Sequence, residues 1–332
     1  MKIRIIEPIG QSETAIRSRL KDVLEKGGHN LFICDTRGLT DAELIQNVSD
    51  ADVLVLSNRP LSRAVIEACP RLKLICVAFT GIDHVDQDAC KSHGIILRNA
   101  AGYAVHAVSE LAIGVMIALL RRIVSADAVV RSGGRNRDLV GTELFGKILG
   151  IIGCGRIGLQ VARLGNAFGS HVLGFESHEL GIDDVAIEQV ELDELLRRSD
   201  IVSLHVPLTV DTRGFIGREQ LAKMKTSAIL INTARGPVVD QSALVEALEQ
   251  KRLAGAGLDV FDIEPPLASD HPILKAPNTV LVPHIGFETA EAMSAKADIA
   301  MHQLEDFLSG RQPMDNGGHR DEVAAFEVLR RG

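Results

Sequence analysis

Ile148-Leu149-Gly150-Ile151-Ile152-Gly153-Cys154-Gly155-Arg156-Ile157-Gly158 is the stretch that decides the fold. An apolar run of strand character leads straight into Gly-x-Gly-x-x-Gly, and a helical stretch follows to Phe168. Strand, glycine turn and helix in succession lift such a match above chance. Gly153 permits the tight turn, Gly155 lets the backbone approach a pyrophosphate, and Gly158 allows helix to pack closely on strand. Exposed N–H groups at the helix start meet the phosphate charge. Cys154 is a small filler of the turn.

The next strand, His171 to Phe175, ends beside Glu176, about 20 residues beyond the glycines, where a carboxylate accepts hydrogen bonds from an adenosine ribose. The same charge repels a 2′-phosphate. NAD is therefore the expected cofactor in preference to NADP, with Ser177-His178 beside Glu176 softening the discrimination.

Working outward, the second half continues with helix Leu192 to Arg198 and strands Ile201 to His205, Ala228 to Asn232, Gly255 to Val260 and Val280 to Val282. The first hundred residues show the same alternation: strands Ile3 to Ile6, Leu31 to Cys34, Val53 to Leu56, Leu74 to Ala78 and Ile95 to Leu97, with helical stretches Glu13 to Lys26, Ala42 to Val48 and Ser62 to Ala68. That is the pattern of parallel sheets wrapped by helices, giving an α/β protein with two doubly wound domains. Ala107 to about Val130 reads as one long helix, apolar on more than one side, at a domain junction or dimer interface. The helical region after Gly286 has no nearby strand to cover and is expected to return to the first domain. The expected division is residues 1–101 with 288–332, interrupted by 102–287, and the last twenty residues, 313–332, read as a weakly ordered tail.

The chain has 332 residues, 46% of them hydrophobic and 24% charged, an ordinary globular balance with length for two cores. A formal net charge of −8 with scattered basic residues leaves no footprint for nucleic acid or an anionic membrane. The N-terminus reads as a strand without a signal peptide's apolar run, and no segment is long and apolar enough to span a bilayer, so a cytoplasmic protein is expected. The five cysteines form no Cys-x-x-Cys pair and have no metal-ligand spacing with histidine, so reduced thiols and no metal are expected.

Three acid–base candidates stand at strand ends: Arg235 after Ile229-Leu230-Ile231-Asn232-Thr233-Ala234, Glu264 after Gly257-Leu258-Asp259-Val260-Phe261, and His284 after Val280-Leu281-Val282-Pro283. Ligands of open parallel sheets bind just outside the carboxyl ends of the strands, where these three would converge. The set matches reduction of a keto acid. A hydride goes to the carbonyl carbon while a positioned acid gives the oxygen a proton. His284 suits that acid, and a Glu264 carboxylate against its ring would fix the tautomer and favour the charged form. Arg235 offers a planar fork for a carboxylate and polarises the adjacent carbonyl.

Over roughly residues 45–310 the chain resembles the D-isomer-specific 2-hydroxyacid dehydrogenases. Asn232-Thr233-Ala234-Arg235-Gly236-Pro237-Val238-Val239-Asp240 resembles that family's Arg motif, Gly257 to Phe261 with Glu264-Pro265 its Asp and Glu motif, and Pro283-His284-Ile285-Gly286 its His motif. The resemblance implies Arg235 for substrate binding, Glu264 with His284 as acid/base, and Asp259 near the nicotinamide. It also implies cofactor contacts from the three glycines with Arg156 and Ile157, from Glu176, from His205-Val206-Pro207 with Thr212, and from Thr233, Ala234 and Gly286. Phe79-Thr80-Gly81 corresponds to the loop whose amides hold the substrate carboxylate, and Tyr103 precedes the long helix near the cleft. Further implied are a discontinuous flavodoxin-like substrate domain, an inserted Rossmann nucleotide domain, closure between them, and a homodimer built largely on the nucleotide domains. Phe79 departs from the family by its bulk and narrows the pocket; a Trp often found around Gly133 to Asn136 is absent, and the C-terminal tail does not follow the family ending.

Alternatives remain open. One is a 3-phosphoglycerate dehydrogenase or a hydroxypyruvate/glyoxylate reductase, with Arg59 meeting a distal phosphate or carboxylate. The other is a non-catalytic NAD-sensing scaffold, since fold alone does not establish function.

Overall fold

The computed structural model describes residues 1–176 and 185–311; Ser177-His178 and the tail 313–332 lie outside them. The described residues form two compact units, 1–104 with 288–311, and 105–287. The first holds strands β1 (Lys2–Ile5), β2 (Asn30–Ile33), β3 (Val53–Leu56), β4 (Leu74–Val77) and β5 (Ile96–Asn99). They pair parallel in the order β2-β1-β3-β4-β5, the flavodoxin-like arrangement. Around them lie α1 (Glu13–Gly27), α2 (Asp41–Val48), α3 (Arg63–Glu67) and α4 (Gln87–Ser92).

Successive strand residues point to opposite faces, so each sheet face gathers its own core. Ile3, Ile5, Val53, Val55 and Leu74 pack with Ile16 and Leu20 of α1, while Leu54, Leu56, Ile75 and Val77 pack with Leu44, Val48, Val65 and Ile66. Burial on both faces explains why β3 and β4 read as unbroken apolar runs rather than alternating ones. Local signals set the helix ends. Ser12 and Thr40 accept the first-turn amides of α1 and α2, and Gly28 closes α1 with a left-handed φ of 58°.

The second unit opens with α5 (Val105–Leu120) and α6 (Ile123–Arg131). The single long helix expected here is two: Arg122 takes a φ of 52°, and the Leu120 carbonyl that a continuous helix would give to Val124 accepts the amide of Thr142 instead. There follow β6 (Ile148–Ile152), α7 (Arg156–Ala167), β7 (His171–Phe175), β8 (Glu188–Gln189), α8 (Leu192–Arg198), β9 (Ile201–Leu204) and α9 (Arg218–Lys223). Then come β10 (Ile229–Asn232), α10 (Gln241–Glu249), β11 (Gly255–Leu258) and β12 (Thr279–Leu281). All seven strands are parallel, in the order β12-β11-β10-β9-β6-β7-β8, so the chain reverses direction across the sheet between β6 and β9. Such a switch point, at the carboxyl ends of the strands, is where doubly wound sheets take their ligands.

The last described helix, α11 (Ala290–Leu308), packs on α1 and β4 of the first sheet. Arg19 of α1 donates to Asp298 and Glu305 of α11, at 2.9 and 3.0 Å.

Candidate active site

The glycine turn after β6 is built as its sequence demands. Gly153 has a φ of 91°, and a Cβ on Gly158 would collide with the Gly153 carbonyl oxygen, so neither position accepts a side chain. Gly155 faces open space, with nothing within 4 Å of a Cβ built there. The first amides of α7 point into that space without intrahelical partners. Arg156 is exposed, Ile157 half-buried. Glu176 leans toward the turn: its carboxylate accepts the Cys154 amide at 2.9 Å, which fixes an acidic group beside the cradle. Burial, reinforced by that charge, pushes the Cys154 thiol up to about 12, so it stays protonated.

Beyond β9, His205 lies 2.9 Å from Ser203 Oγ through Nε2, and burial holds its pKa down to about 3, leaving the ring neutral. Val206 is buried. Thr212 is fully buried; its hydroxyl donates to the Pro207 carbonyl at 2.6 Å and accepts the Thr209 amide at 2.7 Å, which braces the turn after Val206. At the end of β10, Thr233 Oγ1 is buried with no hydrogen-bond partner among the described residues. An open cradle at a helix N-terminus, a carboxylate beside it and an orphaned hydroxyl at the sheet's carboxyl edge fit a dinucleotide.

The acid–base candidates come together in part. His284 Nδ1 is 3.0 Å from Glu264 Oε2. His284 sits at a φ of 56°, and the turn after it is held by Asp259, which accepts the amides of Ile285 at 2.7 Å and Gly286 at 2.9 Å. Burial raises the Asp259 pKa, opposed by those two donors and by His284. The side chain expected near the nicotinamide is thus the tie that aims His284. The turn carrying Glu264 is braced by Gln241, whose Oε1 accepts the Asp262 amide at 3.3 Å. Arg235 leaves β10 in extended backbone, with its guanidinium on the Ala234 carbonyl at 2.8 Å. Asn232, 1% exposed, bridges that turn by donating to the Arg235 carbonyl and accepting the Ala234 amide.

In the first unit, Phe79-Thr80-Gly81 follows β4. The Phe79 ring meets Tyr103 edge to face at 5.8 Å, and Asn99 Nδ2 donates to the Thr80 carbonyl at 2.6 Å.

Residues 113–286 match the family model described as "D-isomer specific 2-hydroxyacid dehydrogenase, NAD binding domain". The chain is 42% identical over 285 residues to a hydroxypyruvate reductase of Thermotoga maritima, covering 83% of this chain and 93% of the relative. It is 40% identical over 315 residues to a D-3-phosphoglycerate dehydrogenase of Methanocaldococcus jannaschii; that match takes in 93% of this chain but spans only 58% of the relative's length. A crystal structure of D-lactate dehydrogenase from Aquifex aeolicus with NAD and lactic acid superposes with a TM-score of 0.80 at 28% identity, covering 93% of this chain and 96% of that one. The chain belongs to the D-isomer specific 2-hydroxyacid dehydrogenase family. It is an NAD-dependent oxidoreductase of CH–OH donors.

Family membership leaves several residues that the motifs did not single out. Asn232 and Gln241 act on the backbone that carries Arg235 and Glu264, and a polar residue closing an apolar strand was the one visible sign of the first. Arg59, considered for a distal anion, donates to the Leu39 carbonyl at 2.5 Å and stands 3.9 Å from Asp41. Among the described residues no group of three or more His, Cys, Asp or Glu could hold a metal, and no helix is long and apolar enough to cross a membrane.

Proposed function

We propose that this dehydrogenase reduces a small, unphosphorylated 2-keto acid of glyoxylate or hydroxypyruvate size to the D-2-hydroxy acid, with NADH as donor. The observation that carries this reading is the 3.0 Å contact between His284 Nδ1 and Glu264 Oε2. With Nδ1 committed to the carboxylate, Nε2 is the nitrogen left to pass a proton to the substrate oxygen. The bound nicotinamide supplies the hydride. Arg235 takes the substrate carboxylate and carbonyl as a planar fork, and Phe79, Thr80, Gly81 and Tyr103 complete the substrate contacts. Cofactor contacts are assigned to Gly153, Gly155, Arg156, Ile157, Gly158, Glu176, the segment His205 to Pro207 with Thr212, and Thr233, Ala234, Asp259 and Gly286.

Small size is supported by the Phe79 ring against Tyr103, and lack of phosphate by Arg59, whose Nη2 is taken by the Leu39 carbonyl with Asp41 Oδ1 3.9 Å away. Glu176 beside the glycine cradle supports NADH over NADPH. The second unit supplies the nucleotide domain and the first the substrate domain, in a cytoplasmic homodimer. The apolar surface of α6 supports the dimer: none of its residues is buried, although Ile123, Val124 and Val130 are on it.

Steady-state oxidation of NADH and NADPH with glyoxylate, hydroxypyruvate, pyruvate and phosphohydroxypyruvate tests the assignment. The expected order is hydroxypyruvate and glyoxylate ahead of the phosphorylated acid, with NADH preferred. Absence of turnover with every acid would return the protein to the sensing-scaffold alternative.

A further inference from the structure

Lys296 sits in the middle of α11, one turn from Ala292 and one from Ala300 on the stripe that enters the first core, and it is only 2% exposed. A buried ammonium needs compensation. Its Nζ lies 4.1 Å from the centroid of the Phe79 ring, and the carboxylates acting on it are Glu7 and Glu288. Glu7 is itself fixed, accepting the amides of Ser57 and Arg59 at 2.8 Å each. Gly10, at a φ of 99°, brings the chain so close to α11 that a Cβ would stand 2.6 Å from the Met293 carbonyl oxygen and 3.5 Å from Lys296 Cε.

These partners share one edge of the sheet. Glu7 and Gly10 follow β1, Ser57 and Arg59 follow β3, and Phe79 follows β4, at the carboxyl ends of adjacent strands. The strand order reverses between β1 and β3, the point where such sheets take ligands.

We propose that Lys296 is a positioning residue: its ammonium, balanced by Glu7, pins the Phe79 ring and thereby sets the Thr80-Gly81 amides that receive the substrate carboxylate. This rests on the reading above that the 79–81 loop binds substrate. The rest of the loop is tied to the end of β5, which α11 braces in turn. Ala100 donates to the Phe79 carbonyl at 2.9 Å and Asn99 to that of Thr80 at 2.6 Å, while Gln303, two turns beyond Lys296, donates to the Asn99 carbonyl at 2.8 Å. The ring is thus held by the cation over its face and by the perpendicular Tyr103 ring. Burial pulls the Lys296 pKa down to about 8, with Glu7 and Glu288 acting against that fall, so the cation persists at neutral pH.

Kinetics of the full chain with NADH and its preferred keto acid test the proposal. Lys296→Met and Lys296→Gln should raise the keto-acid KM about tenfold while kcat and the NADH KM stay within about twofold. Lys296→Arg, which keeps a cation over the ring, should stay within about threefold of wild type. Phe79→Leu should reproduce the KM rise, and Lys296→Met added to it should raise KM no further. A keto-acid KM unchanged in the folded neutral variants overturns the proposal, as does an additive double variant. Should neither neutral variant fold, an unchanged KM in Phe79→Leu overturns it equally. Wild-type turnover alongside such results would sink this inference alone; a wild type inactive on every keto acid would sink the functional reading with it.

Discussion

At the scale of single residues, the Glu264–His284 contact makes the first prediction. Reduction needs a proton on the imidazole nitrogen that faces the substrate oxygen, and the Glu264 carboxylate on Nδ1 holds the ring in that pose. Glu264→Gln should therefore lower kcat in both directions by roughly tenfold or more while the NADH KM changes little. His284→Ala should nearly abolish both directions. Turnover of Glu264→Gln equal to wild type would mean that another group orients the proton donor. The sequence exposed this pair because both residues follow apolar strands in distinctive motifs. It hid Asn232, Gln241 and Lys296, whose work is done on backbone or ring and becomes visible only once the chain has folded. For Lys296 a faint sign existed: the side chain falls on the alanine stripe of α11, where a solvated lysine has no place.

At the scale of elements, central strands were the most legible because burial on both faces forces unbroken apolar runs. The edge strand β8 was not, since Glu188 and Gln189 are both exposed and carry no apolar signature. Helices α4, α9 and α10 were not singled out either. The break between α5 and α6 depends on the Thr142 amide reaching Leu120 across a loop, a non-local bond that helix periodicity does not encode. The turn after β9 yields a stability prediction. Burial holds the folded pKa of His205 down to about 3, below the 6.5 of a free imidazole, so the unfolded chain binds its proton first as pH falls. Its contribution is complete above pH 6.5 and is lost progressively toward pH 3. His205→Gln should flatten the fall of melting temperature between pH 7 and pH 4, measured beside wild type in the same buffers. Parallel curves for the two proteins would mean that His205 takes up its proton without unfolding.

At the scale of the whole molecule, the alternation of apolar runs marks the strands but carries no information on their order in a sheet; the flavodoxin-like and Rossmann arrangements were implied only by the family resemblance, and the orders β2-β1-β3-β4-β5 and β12-β11-β10-β9-β6-β7-β8 are seen in the structure. Assembly is a separate question, decided by what each unit leaves uncovered. The second unit carries Ile123, Val124, Val130, Val140 and Phe145 all exposed, the last three by 73% or more. Isolated exposed aliphatics need no explanation, but a helix with three exposed aliphatics and no fully buried residue calls for a partner surface. A second copy of the chain meets that need through a self-complementary two-fold contact. Light scattering on the eluting protein should then give twice the chain mass of 35.8 kDa. Val124→Glu with Val130→Glu places two charges on α6 and should shift the protein to monomer at micromolar concentration, because burying unpaired carboxylates in an apolar contact is costly. Neither residue is buried within the chain, so the substituted monomer should keep its far-ultraviolet circular dichroism. A wild type that elutes as monomer, or a substituted chain that stays dimeric, would place the subunit contact elsewhere and leave the apolar surface of α6 to another partner.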